Sequence, residues 1–237
     1  MRLHRFIGNF DLDAKTLAVE DGELLNQWRN VLRLKTADQL TLCDGAGREA
    51  LATIVDMDKK SVTLSIEEVS MPEREGHKKA ELFCALLKRE NFELVCQKAT
   101  ELGISRIVPL LTERTVKTGF NRERLEKIIR EASEQSGRTT LPELAEPIKF
   151  EKAIETIDPK NCVLFDLSGS AFDFKKMDPG SSPGRHEYVS AFIGPEGGFT
   201  ETEVSLARDK GCIIASLGSL TLRGETAAIV VSYLATQ

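Results

Sequence analysis

The 237-residue sequence has no apolar run approaching the ~20 residues that a membrane-spanning helix needs, so no membrane association is expected. Its five cysteines (Cys43, Cys84, Cys96, Cys162, Cys212) are odd in number and scattered, with no C-x-x-C pair. Most fall in apolar strands or on apolar helix faces. They read as reduced thiols in a core, not as a disulfide framework or a zinc site. The three histidines, His4, His77 and His186, lie far apart and in no ligand spacing, so no metal is expected. The stretch Met1–Phe6 has no apolar run of signal-peptide length, which makes the cytoplasm the expected location. Both common phosphate-binding signatures are missing, the G-x-G-x-x-G fingerprint and the P-loop lysine. An excess of positive charge is missing too. Lys and Arg number 32 against 37 Asp and Glu, for a net charge of −5. That balance argues against wholesale coating of a nucleic acid, but it permits a local basic face.

What the sequence does have is concentrated near its C-terminal end. The apolar run Val189–Ile193 leads into Gly194-Pro195-Glu196-Gly197-Gly198-Phe199-Thr200. A polar helix follows. Then Cys212–Leu217 leads into Gly218-Ser219-Leu220-Thr221-Leu222-Arg223-Gly224-Glu225-Thr226. Two buried-looking strands thus each run into a glycine-bearing loop. In an open α/β sheet, ligands sit beyond the carboxyl ends of strands, so two such loops side by side make a crevice. Gly194, Gly197 and Gly198 allow positive φ or close approach to a ligand. Thr200 and Glu203 form a capping box for the helix, and Gly211 fits its end. Glu196 would repel a phosphate, so a nucleoside carrying a cationic group suits the loop better. A tight structural turn is the competing reading. Arg223, directly before the last helix, could donate to a phosphate or a developing oxyanion. An ion pair with Glu225 or Glu196 is the alternative.

The rest of the chain divides in two. Residues 1–70 read as a small β-rich module, with strands expected at Leu3–Ile7, Gln39–Cys43, Glu49–Val55 and Val62–Val69. A helix over Asp21–Leu34 is expected to turn Leu24, Leu25, Trp28, Val31 and Leu32 inward. Arg2, Arg5, Arg29, Arg33 and Lys35 are candidate phosphate contacts, with an ordinary solvated surface as the plainer reading. Residues 71–79, rich in charge with Pro and Gly, read as a linker. From residue 80 to 237, strands and helices alternate, which implies a parallel sheet with helices on both faces. Phe92, Val95, Cys96, Ala99 and Leu102 set the inward stripe of one helix. Its Glu93, Gln97, Lys98 and Glu101 face away. A second helix capped by Asn121 turns Leu125, Ile128, Ile129 and Ala132 inward. Residues 168–187 read as a mobile surface loop. The last helix, Glu225–Thr236, is apolar on nearly every side and must be buried in a core or in a subunit interface.

The wording of these segments resembles the bacterial 16S ribosomal RNA uracil-N3 methyltransferases, the RsmE-like family of the SPOUT superfamily. The likeness rests on Gly194–Thr200 and on Leu217-Gly218-x-x-x-Leu222-Arg223-x-Glu225-Thr226-Ala227. It extends to Val31–Lys35, Asp44–Gly47, Gln97–Gly103, Glu113-Arg114 and Glu134–Arg138. The resemblance implies a C-terminal SPOUT domain, a parallel sheet with a trefoil knot, preceded by a PUA-like β-barrel that binds RNA. It implies a homodimer acting on 16S ribosomal RNA of the 30S subunit, on a uridine near the 3′ end. S-adenosylmethionine would sit against Gly194, Glu196, Gly197, Leu217, Gly218, Leu220, Leu222 and Thr226. Arg223, joined by Arg138, would steady charge on the uracil, and Gln135 would point into the same cleft. Lys88, Arg89 and Lys98 would add RNA contacts. The sequence departs from the family pattern at Asn91, Ser219 and Gly224. Two other readings stay open: a non-catalytic RNA-binding ribosome-assembly factor, and a nucleotide-binding enzyme of ordinary doubly wound type.

Overall fold

The computed structural model describes residues 3–74, 79–116, 119–172 and 188–237. The chain forms two units, one from Met1–Glu75 with Ser133–Leu141, the other from Gly76–Ala132 with Pro142–Gln237. The first is therefore not one continuous stretch. Backbone bonds tie the 133–141 segment into it: Gly47 N–H to the Thr139 carbonyl (3.2 Å) and Leu141 N–H to the Gly45 carbonyl (3.2 Å).

In the first unit, β1 (His4–Ile7), β2 (Thr16–Val19), β3 (Gln39–Cys43), β4 (Glu49–Met57) and β5 (Val62–Ser70) form a sheet in the order β1-β3-β4-β5-β2. Only β1 and β3 run parallel. Alternation in β4 puts Ala50, Ala52 and Ile54 into a core around Trp28 and Phe6. The short edge strand β2 carries too little apolar pattern to be expected from sequence. Helix α1 (Gly22–Asn26) starts on Asp21, whose carboxylate accepts from the N–H groups of Glu23 and Leu24. It runs into a π-helical turn, Gln27–Val31, closed by Leu32 N–H on the Gln27 carbonyl. The wider turn shifts the helical phase, so Val31 points outward, 67% exposed, where an unbroken α-helix would bury it.

The second unit is a seven-stranded sheet in which every pairing is parallel. Its strands are β6 (Lys79–Ala85), β7 (Arg106–Leu111), β8 (Glu143–Leu144), β9 (Ile148–Lys149), β10 (Cys162–Ala171), β11 (Tyr188–Ile193) and β12 (Ile213–Ser216). The order is β12-β10-β11-β6-β7-β8, with β9 also on β7. Alternate residues of β6 and β11 enter two different cores, as a strand covered on both faces requires. One core takes the stripes of α2 (Arg89–Glu101), α3 (Arg122–Ser136) and α6 (Gly224–Thr236). The other takes α4 (Phe150–Thr156) and α5 (Glu201–Asp209) around Phe83 stacked on Phe192, 4.4 Å between ring centres. Such a pair adds about 0.5–1.5 kcal/mol beyond its buried area.

One expectation is corrected here. Residues 168–171 belong to β10 and not to a surface loop, while 173–187 lie outside the described residues. Within this single chain, helix α6 is covered by the described residues on one side only. It buries Ala228, Val231, Ser232 and Ala235 but leaves Val230, Leu234 and Tyr233 at 36, 36 and 53% exposure.

Helices α2 and α3 are clasped by Glu93, whose carboxylate takes Arg124 Nε at 2.5 Å and Arg89 Nε at 3.1 Å. The Arg124 hydrogen bond is the main reason its carboxyl is held down to about 2. A lowered carboxyl stabilises the fold above the ordinary carboxylate range, and the contribution disappears as pH falls through the folded value. Glu93→Gln should therefore melt below wild type at pH 7. The gap in Tm should close between about pH 4.3 and pH 2, read by thermal melts across that range.

Candidate active site

A cavity of about 1190 Å³ opens at the carboxyl ends of the second unit's strands. Its floor has three walls. The first is the loop Gly194–Phe199 after β11, and the second is the run Leu217–Gly224 after β12. These strands are not neighbours, because β10 lies between them. The end of β10 supplies the third wall. Phe165 and Ser170 both pair with Ala215, so the residues between them bulge out of the ladder. Asp166, Leu167 and Ser168 of that bulge line the cavity. Gly169 lies so close to β12 that a Cβ there would sit 2.4 Å from the Ala215 carbonyl carbon.

The first loop is held from several directions. Gly198 N–H closes a turn on the Pro195 carbonyl at 2.8 Å, with Gly198 at φ 69°, a conformation suited to glycine. Phe199 leaves the loop for the core, 5.2 Å from Phe150. Thr200 and Glu203 form the expected capping box. The buried Glu203 carboxylate also accepts from the Glu113 N–H at 2.9 Å, which fastens the segment after β7 to the loop. Beside it, Arg114 donates to the carbonyls of Gly197 (2.6 Å) and Phe199 (3.3 Å). Sequence showed the motif Glu113-Arg114 but not this clamp, since its partners lie more than 80 residues away.

The cavity gathers Gly194, Glu196, Gly197, Leu217, Leu220, Leu222 and Arg223 from the expected site. Asn91 and Lys88 line it from the start of α2. Gly218 and Thr226 are outside its lining. Gly218 closes on Ser216, whose hydroxyl donates to the Gly218 carbonyl at 3.0 Å, and Thr226 is exposed on α6. Glu196 accepts from the Lys88 N–H at 3.3 Å, at the N-terminus of α2. Among the described residues Arg223 makes no ion pair with Glu225 or Glu196, and its guanidinium is exposed at the N-cap of α6. Arg138 and Gln135 do not line this cavity. Arg138 is buried in the first unit, with a bond to Thr140 Oγ1 at 3.4 Å.

The expected RNA contacts part into three groups. The Arg5 guanidinium is held by Glu49 at 2.5 Å and by Cys43 Sγ at 2.8 Å. Arg29 is likewise spent on the carbonyls of Lys59 (2.9 Å) and Ser61 (3.1 Å). Arg89 and Lys98 are surface partners of Glu93 and Glu101. Arg33, Lys35 and Lys88 are exposed, with no side-chain partner among the described residues. Arg2 lies outside the described residues. Among those described, no cluster of His, Cys, Asp or Glu is arranged to hold a metal, and no helix is long and apolar enough to cross a membrane.

A doubly covered parallel sheet with a crevice at its strand ends, in a chain with a separate β-module, defines a two-unit α/β protein with an enzyme-like ligand site. Comparison with known proteins narrows this. Residues 74–236 match an RNA methyltransferase domain and residues 29–67 an RNA methyltransferase PUA domain. The ribosomal RNA small subunit methyltransferase E of Rickettsia conorii is 34% identical over 85% of this chain and 81% of its own. A Legionella pneumophila methyltransferase structure with bound SAM aligns at 31% identity and TM-score 0.86, covering 99% of this chain and 97% of that one. The Neisseria gonorrhoeae ribosomal RNA small subunit methyltransferase E, bound to S-adenosyl methionine, aligns at TM-score 0.87 and 26% identity, covering 98% and 95%. The chain belongs to this ribosomal RNA small subunit methyltransferase E family of RNA methyltransferases.

Proposed function

We propose that the protein methylates N3 of a uridine near the 3′ end of 16S ribosomal RNA, using S-adenosylmethionine, in the cytoplasm. The observation that carries this is the Arg223 guanidinium, without a partner among the described residues, on the rim of a cavity with room for two ligands. At about 1190 Å³ it exceeds the roughly 300–1,000 Å³ of ordinary small-molecule clefts. The donor fits the residues present. Leu217, Leu220 and Leu222 offer an apolar wall for an adenine, and Asp166 and Glu196 offer carboxylates without a phosphate cradle. Once bound, it supplies an activated methyl group on a sulfonium. The chain then holds the two reactants in line and balances charge on the pyrimidine carbonyls, the part we assign to Arg223.

The division of labour we assign is a PUA-like RNA-binding module in residues 1–70, which residues 133–141 join, and a SPOUT domain with its trefoil knot in the rest of the chain from β6 onward. Arg33 and Lys88, without side-chain partners among the described residues, are the cations best suited to phosphate. The exposed side of α6, with Val230, Tyr233 and Leu234, is the face of a homodimer. We assign Arg138 the same charge-balancing part beside Arg223.

Nucleoside mass spectrometry of 16S ribosomal RNA tests this reading. N3-methyluridine should vanish when the gene is deleted and return when it is restored; unchanged N3-methyluridine after deletion would overturn the proposal. The loop clamp gives a second test. Arg114→Ala removes two hydrogen bonds of about 1 kcal/mol each, so donor affinity by calorimetry should fall roughly tenfold or more. Arg114→Lys should recover part of it.

A further inference from the structure

A proton must leave N3 before or as the methyl group arrives, and the cavity holds one carboxylate placed to take it. We infer that Glu225 is the proton acceptor of the reaction, which rests on the uridine reading above. Four carboxylates line the cavity: Asp166, Glu196, Glu201 and Glu225. Asp166 is occupied by Ser168, which donates its N–H at 2.9 Å and its hydroxyl at 2.6 Å. Glu196 takes the Lys88 N–H. Glu201 is exposed on the first turn of α5. Glu225 differs from all three. It is 9% exposed, faces the cavity, and has no hydrogen bond or ion pair among the described residues.

A carboxylate on the first turn of a helix usually serves the helix dipole from the surface. One that is nine-tenths buried loses most of its water, and no donor among the described residues replaces it. A substrate N–H is the missing donor. The geometry also places the charge-balancing cation and the base two residues apart in sequence, Arg223 and Glu225, at the start of α6. The remaining charged lining is basic: Lys88 from α2, Arg114 after β7 and Arg208 of α5. These cations offset the negative charge that develops on an ionising imide.

The step balances. The N3–H bond breaks and its proton passes to a Glu225 oxygen. The nitrogen pair forms the N3–CH₃ bond. The S–CH₃ bond breaks with its electrons staying on sulfur, so the sulfonium becomes a neutral thioether.

The test compares wild type with Glu225→Gln in single-turnover methylation of 30S particles from cells lacking the gene, from neutral to alkaline pH. The product is identified by mass spectrometry, and donor affinity is measured separately by calorimetry. Glu225→Gln should bind the donor within about twofold of wild type. Its rate at neutral pH should fall at least about 100-fold. That rate should then climb with pH and approach wild type where the imide ionises unaided. An unchanged rate, or a loss that is constant with pH and matched by lost donor affinity, overturns the inference and leaves the uridine reading standing. Wild type that produces no N3-methyluridine overturns both.

Discussion

Arg223→Ala is expected to lower kcat by about 10²–10³-fold, the usual loss when one preorganised donor to a developing oxyanion is removed. The side chain is exposed at the N-cap of α6 and has no partner within the described fold, so its removal breaks no structural bond. Tm should therefore stay within about 2 °C of wild type, as for surface substitutions near ±0.5 kcal/mol. Donor affinity should also change little, because the apolar wall and the first loop remain. Steady-state kinetics on undermethylated 30S particles, paired with calorimetry for the donor, separates the two. A kcat that survives with a large rise in donor KM would make Arg223 a donor-binding residue instead. Arg223→Lys should recover only part of the rate, since an ammonium lacks the planar fork that spans two acceptors.

Gly169→Ala is expected to produce the largest structural effect in the second unit. The added methyl would lie 2.4–2.6 Å from the backbone of Ala215, and no side-chain rotation can relieve a backbone clash. Either the β10 bulge or β12 must move. Overpacking of this kind costs about 1–3 kcal/mol in a core that can adjust, and occasionally more. Backbone against backbone puts this site at the upper end. For a chain of this length about 3 kcal/mol corresponds to roughly 6–12 °C in Tm. Because the bulge is one wall of the cavity, donor affinity should fall with it, while the first unit's packing is untouched. A Gly169→Ala protein that melts and binds like wild type would mean the bulge is far more pliant than its pairing suggests.

Much of the second unit could be read from the chain. The inward stripe Phe92-Val95-Cys96-Ala99 is buried as its spacing requires. The capping box at Thr200 and Glu203 forms as its residue types dictate, because its two hydrogen bonds span only three residues. Both glycine-bearing loops open on the same cavity. The failures share a cause. Whether Val31 faced in or out hinged on one residue of helical phase, and the π-turn that decides it has no sequence mark. Arg5 looked like a free cation until Glu49, 44 residues on, came within 2.5 Å. The bulge of β10 depends on pairing with β12, some 45 residues away, so its segment read as loop.

The sequence by itself determined the alternation of strands and helices, the family, and the pair of loops that hold the cleft. These follow from local periodicity, turn chemistry and short motifs, which act over a few residues. Only the tertiary structure decided that β10 intervenes between those loops and adds a third wall. It alone decided which cations are spent on internal partners, and that Arg223 and Glu225 have no partner among the described residues. Such outcomes depend on which distant groups end up within about 3 Å of each other, the reach of a hydrogen bond. Strand order sets that proximity, and no run of neighbouring residues encodes it.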